Sequence, residues 1–126
     1  MGYWILSLIA NTIIPIIITI AGFILVKRAP KKINGLVGYR TTMSMKNNDT
    51  WVFANHYFGK ICTITGPVMF FLSLAATIFI YGKSDVTILY VTLAVVIIET
   101  LVLIASIVPT EKALKKTFDN DGRRKI

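Results

Sequence analysis

Two side chains in this sequence carry charges that their neighbours do not explain. Glu99 is the one acid inside an apolar run, and Arg40 stands in a turn behind Gly38 and Tyr39. An ionised carboxylate near mid-bilayer costs about 2.5 kcal/mol or more unless it is paired, protonated or wet. A guanidinium is always charged, and its planar fork suits phosphate or carboxylate. Thr92, Glu99 and Ser106 recur every seven residues and so lie near one helical face, with Asn11 and Thr12 at a depth that could meet its outer half. Two roles fit this polar seam. It is a proton or ligand site, or a protonated Glu99 joins helices by hydrogen bonds worth about 1 kcal/mol each. Arg40 folding back against Glu99 would account for both charges together. His56 has no Cys, Asp or Glu at ligand spacing, so no metal is expected, and no cofactor is implied.

The elements that must position these residues follow from composition. The chain has 126 residues, 55% of them apolar and 16% charged, with a mean hydropathy of +0.69. Residues 2–26 and 61–82 are free of formal charge, and residues 86–108 hold Glu99 alone. About 20 apolar residues at 1.5 Å per residue cross the roughly 30 Å hydrocarbon core of a bilayer. The expected fold is therefore all-α: a single integral membrane domain of three helices, spanning about 3–26, 61–82 and 86–109. A motif loop (27–60) and a tail (110–126) flank them. Pro15 and the Gly66-Pro67 pair predict bends in spans one and two. A soluble enzyme, a secreted disulfide scaffold and a disordered chain are excluded, and the single Cys62 can form no intrachain disulfide.

The net charge of +8 would suggest nucleic acid in a soluble protein, but its distribution argues for a membrane. Seven of the 14 Lys and Arg residues lie between Lys27 and Lys60, six between Lys112 and Lys125, and Lys83 stands alone. Positive loops are retained in the cytoplasm, where anionic lipids also attract them. The expected topology in a bacterial cytoplasmic membrane is thus N-terminus outside, C-terminus inside. Tyr3, Trp4, Tyr81 and Tyr90 would form the outer aromatic belt. Membrane lipids are the first expected partners. Lys27, Arg28, Lys31 and Lys32 read as positive-inside anchors.

In the loop, Pro30, Gly35 and Gly38 argue against helix before about Thr42. Asn47 or Asn48 can cap a helix whose positive end Asp49 favours. Trp51, Ala54, Phe58 and Ile61 then recur at three- and four-residue spacing, with Asn55 and Cys62 on the same face. The expectation is an amphipathic interfacial helix running into span two, with Trp51 at headgroup depth. Gly38 either takes a positive φ or admits a close neighbour. Asn34 and Asn55 can hydrogen-bond across the loop or meet a ligand. The tail reads as a short surface helix followed by a disordered Asp-Asn-Asp-Gly end.

Pro30, Asn34, the Gly38-Tyr39-Arg40-Thr41 run, Ser44, Trp51 and Ala54-Asn55 together resemble the signature of the SdpI/YfhL family of small bacterial membrane proteins. That family takes its name from an immunity protein against a secreted killing peptide. The resemblance covers about Pro30 to Tyr81, and the chain is similar to the C-terminal three-span unit of the founding member. It implies protection against a membrane-active peptide, with Asn34, Gly38, Tyr39, Arg40, Thr41, Ser44, Trp51 and Asn55 as the motif or ligand-binding residues. A toxin peptide is then a further partner. The bare residues leave two other classes open. One is a small proton-coupled transporter or membrane signalling protein using Glu99, and a transporter would need a homo-oligomer to enclose a path. The other is a lipid-modifying site of Tyr39, Arg40 and Glu99, although no Ser-His-Asp set, phosphate-cradling loop or carboxylate pair supports catalysis.

Overall fold

The structure is a computed structural model that describes residues 2–125. Among those residues it holds four helices and no named strand: α1 (Gly2–Lys27), α2 (Asn48–Phe79), α3 (Asp85–Ala105) and α4 (Ile107–Thr117). Three helical stretches are long and apolar enough to cross a membrane: Gly2–Lys27, Asn48–Phe79 and Asp85–Thr117, the last taking in α3 and α4. Pro15 and Pro67 both lie inside continuous helices.

Helix limits follow local chemistry. Asn47 caps α2: its Oδ1 accepts from the Thr50 amide at 2.9 Å, and Thr50 Oγ1 accepts from the Asn47 amide at 3.1 Å. Asp49 sits in the first turn, against the positive end of the helix. Gly82, at φ +79°, turns the chain, and Ser84 caps α3. Helix α3 ends at Ala105, before the apolar run does. Ser106 donates to the Leu103 carbonyl and closes α3, and Pro109 then occupies the first turn of a separate helix, where an amide hydrogen has no partner to lose.

Helices α1 and α2 form the main pair, because glycines let their backbones meet. A Cβ on Gly22 would lie 2.8 Å from Cys62 Cβ and 2.9 Å from the Gly59 carbonyl oxygen, and one on Gly66 would lie 2.8 Å from the Thr19 amide. Helix α3 leans on α1 and barely touches α2. It buries Ile88 and Glu99, while Leu89, Leu93, Ile97, Ile98 and Leu101 face outward. Trp4 donates to the Thr77 carbonyl at 2.8 Å and meets Tyr81 edge to face at 5.0 Å. The start of α1 and the α2–α3 turn therefore share one end of the bundle.

The other end carries a folded cap. At about 1.5 Å per residue, the 32 residues of α2 reach about 48 Å, well beyond a hydrocarbon core of about 30 Å. The amphipathic segment expected ahead of span two is the first third of α2 itself, and its apolar face turns to the loop and α4. Tyr39, Ala54, Leu114 and Phe118 form the cap core, with Met43, Phe53 and Phe58 against it. The tail is ordered, contrary to the sequence reading. Asp119 Oδ1 accepts the amides of Asp121 and Arg123, Gly122 takes φ +84°, and Lys125 returns its amide to the Thr117 carbonyl. Asn47 Nδ2 then donates to the Gly122 carbonyl at 2.6 Å, and Arg124 grips Asp49 through two bonds of 2.8 Å. Asn, Asp and Gly are turn formers, and here they make a turn that docks.

Candidate functional site

The signature residues of the loop bind mainly to one another. Gly38 sits at φ +113°, and a Cβ there would lie 2.6 Å from Asn55 Oδ1 and 3.0 Å from Trp51 Cζ2. Both the torsion and the space demand glycine. That close approach lets the Tyr39 amide donate to Asn55 Oδ1 at 2.7 Å, while Asn55 Nδ2 donates to the Trp51 carbonyl at 2.8 Å. Trp51 is 0% exposed, and its indole donates to the Pro30 carbonyl at 2.7 Å. The expected headgroup anchor is thus a buried strut, because the loop folds over it.

The rest of the motif closes the same clasp. The Tyr39 phenol donates to Glu111 Oε1 on α4 at 2.6 Å. Burial, and then that bond and the glutamate charge, push the phenol well above its ordinary pKa. Ser44 Oγ donates to the Tyr39 carbonyl at 3.1 Å and accepts the Thr41 amide at 2.8 Å, and the Ser44 carbonyl receives Thr50 Oγ1. Asn34 Oδ1 accepts the amides of Leu36 and Val37 in an Asx turn. Arg40 is exposed and donates to the Gly35 carbonyl. It makes no bond to Glu99, so the pairing expected from the sequence is corrected: Arg40 bonds the Gly35 carbonyl, and Ser73 bonds one oxygen of Glu99.

Within the spans, the structure brings together Asn11, Thr92 and Glu99 through three residues that sequence reasoning passed over. Ser7 Oγ and Thr92 Oγ1 lie 2.6 Å apart. Asn11 Nδ2 donates to Ser7 Oγ at 3.2 Å and to Thr77 Oγ1 at 2.8 Å. Thr77 Oγ1 donates to the Ser73 carbonyl at 2.8 Å, and Ser73 Oγ donates to Glu99 Oε1 at 2.6 Å. The result is a polar line from the N-terminal end of α1 to Glu99. Its overlooked members carried a signal: Ser7 with Asn11, and Ser73 with Thr77, are polar pairs one turn apart in apolar helices. Thr12 instead bonds its own Leu8 carbonyl, and Ser106 lies at the helix break rather than in the line. A repeat of seven cannot follow a helix beyond its end.

Two buried side-chain atoms among the described residues lack a hydrogen-bond partner: Asn11 Oδ1 and Glu99 Oε2. Glu99 is 2% exposed. It lies with Ser73 on a cleft of about 260 Å³ between α2 and α3, whose other walls are apolar. Leu72 and Ile98 at its rim are outward-facing, at 66% and 59% exposure. The cleft therefore opens sideways, toward lipid.

Comparison with known families matches residues 31–110, more than half of the chain, to the SdpI/YfhL protein family. The chain belongs to that family. No curated protein and no solved structure matched it. The SdpI/YfhL match takes in most of the loop, α2 and α3 and stops at Thr110, so it contains Gly38, Tyr39, Ser44, Trp51 and Asn55 of the clasp and Glu99 with Ser73, while Pro30 and Glu111 fall just beyond its two ends. Helix α1, which supplies Ser7 and Asn11, lies outside it. Family membership points to a multi-pass membrane protein of the immunity type.

Proposed function

We propose that this protein protects the cell carrying it from a membrane-active antimicrobial peptide by binding that peptide within the bilayer. The observation that carries the reading is where the side chains point. The loop motif is consumed by the clasp, whereas α3 turns nearly its whole apolar surface outward and stands off α2 across an acid-floored cleft. A partner that meets this protein does so along the helix walls, with the clasp holding α1, α2 and α4 in place. The role is binding rather than catalysis.

The cap is taken to face the cytoplasm. Thirteen of the 14 basic residues lie in the loop and tail, which fold together at one end. That is the asymmetry the positive-inside rule predicts. A second reading, proton-coupled transport, is favoured by the polar line that reaches Glu99 from the opposite end. It would require a homo-oligomer to enclose a path.

The test is survival. A sensitive bacterium expressing the chain, at verified membrane levels, faces a panel of membrane-active bacterial peptides. Selective protection against one or a few is expected. Equal killing with and without the chain would remove the proposal, and Glu99-dependent proton flux into vesicles would put transport in its place.

A further inference from the structure

The cleft between α2 and α3 has a chemical preference of its own. Leu72, Ala76, Val95 and Ile98 are among its apolar walls, and Glu99 with Ser73 supplies its polar atoms. An ionised carboxylate offers about four acceptor positions. Ser73 occupies one oxygen, and Oε2 has no partner although the side chain is almost fully buried. A proton on Glu99 would neutralise the empty cleft, but the ionised carboxylate calls for a donor at Oε2, and a cation answers it best because it bonds and neutralises together.

The protein does not supply that cation. Its basic residues lie in the loop, the outer turn and the tail, all at the ends of the bundle. A second copy has the same distribution, so its lysines and arginines would meet Glu99 at the wrong depth. Phospholipid headgroups lie at the bilayer surface, outside the hydrocarbon core, and their acyl chains carry no donor. A free hydrated ion would have to shed its water to enter an apolar slot. What satisfies the site is a cation mounted on an apolar body that itself lies in the bilayer. The comparable cleft between α1 and α2, lined by Ile16, Thr19, Ile20, Pro67, Phe70 and Phe71, makes no such demand: its one hydroxyl already bonds the Pro15 carbonyl.

We propose that the α2–α3 cleft binds an apolar, membrane-embedded peptide segment through a primary ammonium group, which donates to Glu99 Oε2 while the apolar body covers Leu72 and Ile98. This deepens the immunity reading and rests on it for the identity of the partner as a peptide. A lysine side chain or a free amino terminus would serve equally.

The experiment uses the full chain in phospholipid vesicles. The probe is a synthetic leucine-alanine peptide of membrane-spanning length with one central lysine, and the control is the same peptide acetylated at that lysine. A photo-crosslinker replacing Leu72 reports the cleft, and one replacing Ile16 reports the α1–α2 side. The lysine peptide is expected to label position 72, not 16, at roughly ten-fold lower concentration than the acetylated one, equivalent to about 1.4 kcal/mol. Val95→Phe, which fills the cleft without touching the Ser73–Glu99 bond, should abolish labelling, and Glu99→Gln should erase the difference between the peptides. Equal labelling by both peptides, or labelling that survives Val95→Phe, would overturn the proposal. Displacement by dodecylammonium at the same concentration would overturn the peptide as occupant in favour of a small amphiphile. Survival separates the two claims. Lysine-dependent labelling without protection against any peptide removes the immunity reading alone, and protection undiminished in Val95→Phe removes the cleft alone.

Discussion

Replacing Gly38 with alanine should loosen the cap while leaving the spans in place. The backbone at φ +113° strains any residue with a Cβ, by about 1–3 kcal/mol. The new methyl would also lie 2.6 Å from Asn55 Oδ1, so Asn55 must withdraw from the Tyr39 amide. A buried amide left without its acceptor costs a further 1–3 kcal/mol, roughly. The sum, about 2–6 kcal/mol, is a large part of the roughly 5–15 kcal/mol that holds an ordinary domain together. Trp51 reports the event directly, because its ring touches Gly38 and its indole bonds Pro30. In a Trp4→Phe background, Gly38→Ala should red-shift Trp51 emission and lower the temperature of its transition, with helical circular dichroism largely retained. The Asn55→Ala exchange should make the second substitution much less damaging, since the bond at stake is already gone. A Gly38→Ala protein with unchanged emission and transition would refute the clasp.

Three further outcomes follow from the same contacts. The Tyr39 phenol titrates above its unfolded value of about 10, so its contribution to cap stability is full below that pH and is lost as the pH rises through the higher folded value. Alkaline melting followed at Trp51 should show this loss, and Tyr39→Phe should flatten it. The Asp49–Arg124 pair is about half exposed and screened by solvent, so Arg124→Ala should lower cap stability only slightly, whereas Phe118→Ala, at a 1% exposed site, should cost about 3–5 kcal/mol in the same melt. Gly59→Val should part α1 from α2, because even a Cβ there would lie 2.8 Å from Leu25 Cβ. Faster alkylation of Cys62, which is buried at that contact, would register it in membranes.

The spans were legible because runs without charge need no tertiary knowledge, and the start of α2 was legible to within one residue because Asn47, Asn48 and Asp49 are neighbours in sequence; the structure chose Asn47 and added Thr50 as its reciprocal partner. The polar seam was half legible. Seven-residue spacing linked Thr92 to Glu99, but which neighbour each meets depends on the placing of three helices, so Ser7, Ser73 and Thr77 emerged from the structure. Trp51 shows the limit most clearly. A tryptophan beside a span anchors at the surface or packs inside according to what covers it, and here the cover is Pro30 and Gly38, folded back over it. The tail is a similar case, since its order comes from Asn47 and Asp49, 75 residues away along the chain. Arg40 and Glu99 looked like a pair only while the Gly35 carbonyl and Ser73 were out of view.

Binding within the bilayer predicts stoichiometry. The most direct measurement is the lethal dose of a protective-panel peptide as the number of copies of this chain per cell is titrated. Sequestration predicts a dose that rises in proportion to copy number and is indifferent to collapse of the proton gradient. Protection that saturates at few copies and vanishes with the gradient would contradict it and put the transport reading in its place.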